Sequence, residues 1–203
     1  VSSARSLTVL AAAILVGSLA SGCIPAAIGV GAKTSAAAVE ERGLSTSIDD
    51  FRIRTEISRL WLERNGEMFR RATLNISEGR VMLTGIMPTT QMHNDALQAT
   101  WRVPGVREVY DHVVVRAPED EGNSSSTNDA WIQQKLKSRL LTDSEITSIN
   151  YEIDVTDAVV YLLGIAQDQA ELNRVVGHAR DISGVRRVVP HIILKTDPHR
   201  IGS

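Results

Sequence analysis

Cysteine is nearly missing: the 203 residues hold one, Cys23. A single thiol excludes an internal disulfide framework, cysteine-only metal cages and CxxC redox chemistry. Aromatic residues are scarce as well, at 4%, so any core has to be built mostly from Val, Ile, Leu and Ala. Neither sign of charge dominates. The 22 basic and 24 acidic side chains leave a net −2, which argues against a globally basic nucleic-acid binder. Catalytic signatures are missing too. None of the five histidines, His93, His112, His178, His191 and His199, stands in an HExxH or a spaced Cys/His pair, and GxSxG and P-loop patterns do not occur. Glu119-Asp120-Glu121 is an acidic run of solvated-linker character rather than a metal site. No enzyme activity, metal or cofactor is expected.

What is there begins with the first thirty residues. Arg5 is the only charge before a mostly apolar run from Leu7 to Leu19, followed by Ala20, Ser21, Gly22 and Cys23. The run has the length of a secretory h-region and is short for a membrane span. The order resembles a bacterial lipoprotein signal, in which cleavage precedes the cysteine and its thiol is lipidated. That implies a signal over 1–22 and lipid on Cys23. Val1 fits an alternative start codon or a chain cut upstream. With Ile24 rather than Asp after the cysteine, the resemblance implies the periplasmic face of the outer membrane. The alternative is a retained span over 7–32 with an inner-membrane anchor, interrupted by Gly22-Cys23-Ile24-Pro25. From Ile24 to Ser47 no period of 2 or 3.6 is sustained, which reads as a tether with a reach of roughly 25–30 Å.

An internal repeat follows, residues 50–116 against 129–195. Asp50 and Ile53 match Asp129 and Ile132. Val81, Leu83, Gly85 and Ile86 match Val160, Leu162, Gly164 and Ile165. Gly105-Val106-Arg107 matches Gly184-Val185-Arg186, and Val109 and His112 match Val188 and His191. One register kept for so long, without a gap, marks a duplication. The boundaries read as a first domain over 48–116, a Pro/Gly/Ser linker over 117–128, a second domain over 129–195 and a tail over 196–203. In each copy Asp49-Asp50 or Asn128-Asp129 is placed to cap a helix carrying Ile53, Ile57, Leu60 or Ile132, Leu136, Leu140. Two alternating strands follow, ended by Gly85 or Gly164. A second helix is predicted over about 89–101 or 167–182, then a last strand over 109–115 or 188–194. The fold class is α+β: two tandem αββαβ domains, each a small three-stranded mixed sheet with two helices on one face. His112 and His191 hold equivalent positions. Inheritance with a structural hydrogen bond accounts for them, and a paired role is the alternative.

The strand-end Gly85 and Gly164, the segments Gly105-Val106-Arg107-Glu108-Val109 and Gly184-Val185-Arg186-Arg187-Val188, and Asn128-Asp129-Ala130-Trp131-Ile132 together resemble the BON domain of bacterial envelope proteins. The chain is similar to outer-membrane lipoproteins that carry two such domains. One departure is Asp157-Ala158, where the hairpin more usually has a glycine. The resemblance implies a periplasmic module that binds phospholipid or other envelope components and supports outer-membrane integrity. It associates the first helix of the second domain with anionic phospholipid.

The residues of that helix point the same way. At 100° per residue, Trp131 lies about 140° from the centre of the stripe Ile132, Leu136, Leu140. The first copy has Arg52 at that position, a side chain at home in water. Lys135 and Arg139 follow Trp131 at one-turn intervals, Lys137 lies on the opposite flank, and Leu141 closes the helix. Trp beside Lys and Arg suits a membrane interface, so Trp131, Lys135, Lys137, Arg139 and Leu141 are the candidate phospholipid contacts. In the first copy Arg52, Arg54, Arg59 and Arg64 are offset by Asp49, Asp50, Glu56 and Glu63, which reads as a solvated face. The expected partners are the membrane and, as the alternative function, proteins of envelope assembly or division for which the chain would be a scaffold.

Overall fold

The computed structural model describes residues 43–117 and 126–200. Cys23, the signal, the possible span over 7–32 and most of the tether lie outside the described residues, as does most of the linker. Among the described residues no helix is long and apolar enough to cross a membrane.

The first copy begins with α1, Gly43–Arg64, which starts inside the stretch read as tether. Its inward stripe is Ile53, Ile57 and Trp61, all buried, with Leu60 only half-buried beside it. A short helix α2, Gly66–Arg71, follows. Its cap is Asn65, whose side chain accepts from the Glu67 N–H at 2.8 Å. Strands β1 (Ala72–Ser77) and β2 (Arg80–Met87) form an antiparallel hairpin with Ile76 opposite Val81. Helix α3, Thr90–Trp101, is capped by the Thr89 hydroxyl and crosses back. Strands β3 (Glu108–Asp111) and β4 (Val114–Val115) then run parallel to β2. The second copy repeats this with α4 (Ser126–Thr142), a 3-10 turn at Ser148–Asn150, β5 (Tyr151–Thr156), β6 (Val159–Ala166), α5 (Gln169–Arg180) and an unbroken β7 (Arg187–Leu194). The α+β class and the mixed sheets agree with the sequence pattern. The first copy adds α2 and splits its last strand where the Asp111 carboxylate accepts from the Val113 N–H.

The paired acids do something other than cap a helix start. Asp50 lies within α1, not ahead of it, and its carboxylate crosses to the β1–β2 turn to accept from the N–H groups of Glu78 and Gly79, both at 2.8 Å. Asp129 repeats this on the β5–β6 turn, accepting from Asp157 at 2.9 Å and Ala158 at 2.8 Å. Both turns need two successive left-handed residues, Glu78-Gly79 and Asp157-Ala158, so their amides point together at one acceptor. A second duplicated link fixes the helix further on. Arg54 donates to the Leu74 carbonyl, and its counterpart Gln133 donates to that of Ile153.

Gly85 and Gly164 mark a close approach rather than a strand end. A Cβ on Gly164 would sit 2.4 Å from the Asn150 carbonyl oxygen, and one on Gly85 would sit 2.3 Å from that of Arg71. The β-hairpin therefore tightens against the preceding segment only where the side chain is missing. Gly164→Ala is expected to cost about 1–3 kcal/mol through overpacking. A urea unfolding curve with an unchanged midpoint would contradict this.

Strand alternation sends side chains to two faces of each sheet. In the first copy Leu74, Ile76, Val81 and Leu83 join the helices in one core. In the second, Ile153, Val160 and Leu162 do the same. The opposite faces meet: Met82, Val159, Tyr161 and Leu163 form a third buried cluster, with Tyr110 and Val189 packed against it. The result is four layers, helix–sheet–sheet–helix, with α1 and α4 on the two outer sides. Arg80, buried in this seam, donates to the carbonyls of His191 and Gly164, both at 3.1 Å. Arg116 pairs with Asp157 across it. The tail also takes part. Arg200 reaches back to the first copy and meets the buried Glu78 carboxylate at 2.7 Å, and the His199 carbonyl accepts from Arg107.

Candidate functional site

Helix α4 buries Ile132, Leu136 and Leu140 against its sheet. Asp129 fixes its first turn and Gln133 its second. This anchoring determines which side chains remain in water. Trp131 is 50% exposed and Leu141 75%, the largest apolar side chains on the outer face. Lys135 and Lys137 are also exposed. On a helical projection Lys135 lies about 40° to one side of Trp131, and Leu141 and Lys137 lie about 80° and 120° to the other. The remaining residues in that arc, Thr127, Ala130, Gln134, Ser138 and Thr142, are small or neutral. The one carboxylate of the helix, Asp129, is turned inward. The face is therefore apolar at two points, cationic on its flanks and free of acid.

Arg139 is not part of that face. It is half-buried and its guanidinium donates to the His178 carbonyl of α5 at 3.1 Å. With Thr142, Asp143, Ser144 and His178 it lines an open polar cavity of ≈ 510 Å³. His178 Nε2 lies 2.7 Å from the Asp143 carboxylate, which also accepts from the Glu145 N–H. These two contacts, the first being the larger, hold Asp143 below the ordinary carboxylate range. An ionised carboxylate there disfavours phosphate, so of the five candidate residues only Trp131, Lys135, Lys137 and Leu141 share the outer face.

The sister helix carries a different surface. Charges on α1 are consumed in pairs: Arg59 binds Glu56 and Glu63, Arg64 binds Asp95, and Arg52 lies 3.3 Å from Asp49. The expectation of a uniformly solvated face fails at two points, since Asp50 and Arg54 are bound inward. It also missed an apolar patch. Ile48 and Phe51 are well exposed and, with Val103 and Pro104, line a groove of ≈ 540 Å³ rimmed by Arg52, Thr55 and Glu56. The signal was an Ile-x-x-Phe spacing whose first member fell at the edge of the presumed tether.

His112 and His191 meet each other. Their Nε2 atoms are 2.6 Å apart across the seam. The His112 ring stacks on Tyr161 and the His191 ring on Tyr110, with centroids 4.6 and 3.8 Å apart. The described residues contain no cluster of three or more His, Cys, Asp or Glu side chains fit to hold a metal ion.

The BON domain model matches residues 49–117 and 128–196. Among curated proteins the chain is 34% identical to an "Uncharacterized protein in gshII 5'region" of Anaplasma centrale, over 73% of this chain and 96% of that one. It is 29% identical to "Outer membrane lipoprotein DolP" of Haemophilus influenzae, over 83% of this chain and 86% of the relative. It is 27% identical to a "21 kDa hemolysin" of Actinobacillus pleuropneumoniae, over 74% and 77%.

Proposed function

The chain belongs to the BON-domain family, carrying the domain twice, and from that premise we propose that it is an envelope-associated lipoprotein whose second copy rests on anionic phospholipid through α4. The similarity to a protein named as an outer membrane lipoprotein supports the envelope assignment, with Cys23 as the lipidated residue and the periplasmic face of the outer membrane as the location. One observation carries the lipid reading. Trp131 and Leu141 stand in water on an acid-free arc flanked by Lys135 and Lys137, on a helix whose other charged groups, Asp129 and Arg139, are bound to neighbouring elements. An indole ring settles at headgroup depth, and each lysine near an anionic surface contributes about 1 kcal/mol, screened by salt. Contacts of that size give reversible docking. They suit a protein already held by lipid, for which α4 sets orientation rather than attachment.

The test is vesicle binding by protein lacking residues 1–23. Phosphatidylglycerol vesicles should retain it and phosphatidylcholine vesicles should not, with retention falling as salt rises. Trp131→Glu should weaken binding by roughly tenfold or more. Equal retention of wild type and variant, or of neither, removes α4 as the site. A second reading, a scaffold for envelope proteins, is favoured by the Ile48–Phe51–Pro104 groove, which lies on the outer side away from α4. Crosslinking from Phe51 that recovers protein adducts, with vesicle binding negligible, would favour it.

A further inference from the structure

We propose that the His112–His191 contact makes the seam between the two BON copies an acid-sensitive clasp, closed near neutral pH and opened in mild acid with both copies still folded. The geometry sets the chemistry. At 2.6 Å the two Nε2 atoms share one proton. One ring donates and the other must offer its lone pair. When both rings are protonated, two N–H groups face each other and the contact becomes repulsive. Neither ring can turn aside, because Tyr161 covers one and Tyr110 the other. The pair is strategic because it arises from equivalent positions of the duplication and so lies where the two sheets face each other.

Charges of both signs face the rings. Arg187 of β7 faces His112 and Arg80 of β2 faces His191, and both oppose protonation. Arg80 is held in place by the His191 and Gly164 carbonyls. Asp111 and Glu108 of β3 favour protonation, but Asp111 is bound to His93 and the Val113 N–H, and Glu108 accepts from Tyr110. Burial is the largest cause in both histidines and pushes both down, His191 to about 4 with the neighbouring His112 as the next cause. The closed form thus binds fewer protons than an open form whose rings meet water, where imidazole ordinarily titrates at about 6.5. Closure is at full strength above pH 6.5 and is lost as pH falls toward 4. Asp154 on β5, across from Tyr161 in register, works the other way. Burial raises its carboxyl, so protonation there steadies the closed form in acid and partly offsets the histidines.

The experiment follows the distance between the outer helices in the full chain. Cys23→Ser leaves dyes on Leu62→Cys of α1 and Ser138→Cys of α4 as the reporters for single-molecule energy transfer. The open population should rise by roughly tenfold or more between pH 7 and pH 5, while circular dichroism stays unchanged. His112→Gln/His191→Gln replaces the pair by an amide contact that does not titrate and should remain closed over the same range. Asp154→Asn should enlarge the wild-type response. A distance that does not change with pH in the wild type overturns the proposal on its own. So does opening that coincides with loss of secondary structure, or a double variant that opens as the wild type does.

Discussion

Trp61→Ala is expected to lower the stability of the protein by about 3–5 kcal/mol, the range for removing a large aromatic side chain from a packed interior. Trp61 is buried on α1 in the core of the first copy with Ile57, Met68, Ala96 and Ala99. Its indole N–H donates to the Ala96 carbonyl at 3.1 Å, which ties α1 to α3. That carbonyl also accepts from the Thr100 hydroxyl. The substitution therefore leaves no orphaned acceptor, and the loss is one of volume and contact. Trp61→Phe, which keeps most of the volume, should cost only about 1–2 kcal/mol. Urea unfolding followed by circular dichroism compares the three proteins. A Trp61→Ala loss below about 1 kcal/mol would mean that the core closes over the gap, contrary to expectation.

The second large effect is expected at Asp50. Asp50→Ala leaves the N–H groups of Glu78 and Gly79 without their acceptor in a buried turn, at about 1–3 kcal/mol per donor, for a total of about 2–6 kcal/mol. Asp50→Asn keeps one carbonyl oxygen for one of the two donors and should recover roughly half. Asp129→Ala, at a turn where Ala158 is buried and Asp157 only partly so, should cost less, about 1–3 kcal/mol, since water replaces part of what is lost. Unfolding curves give the ranking, and faster exchange of the Glu78 and Gly79 amides locates it. An Asp50→Ala protein as stable as Asp50→Asn would show that the carboxylate is not what holds this turn.

These two residues also show what the sequence could and could not reveal. Periodicity carried the α+β class, the hairpins and the crossover helices, because Ile53, Ile57, Ile132 and Leu136 repeat every three to four residues and the strands alternate. Asp50 and Asp129 stand out in the sequence, but their position suggests only a local capping role. An Asp near a helix start is usually satisfied by its own helix, and only the tertiary fold brings the hairpin amides to it. Trp131 was legible because the duplication supplied its own control, Arg52 at the same position. Arg139 was not, because its angle on the helix leaves it at the border, and a carbonyl of α5 decides which side it takes. The seam was invisible for a related reason. Met82, Tyr161 and Leu163 occupy the strand face that a single small domain would offer to water, and their burial follows only from the second copy. The six-residue α2 is too short for any period to register.

The strap from Arg200 to Glu78 has a consequence for how the chain matures. Glu78 sits at the tip of the first hairpin, which leaves the ribosome more than a hundred residues before its partner does. Until residue 200 emerges, the carboxylate must stay hydrated and that corner of the first copy cannot close. The first copy is thus made early and finished last. Any chain that stops short of residue 200 would carry an intact first domain sequence around an unfinished corner.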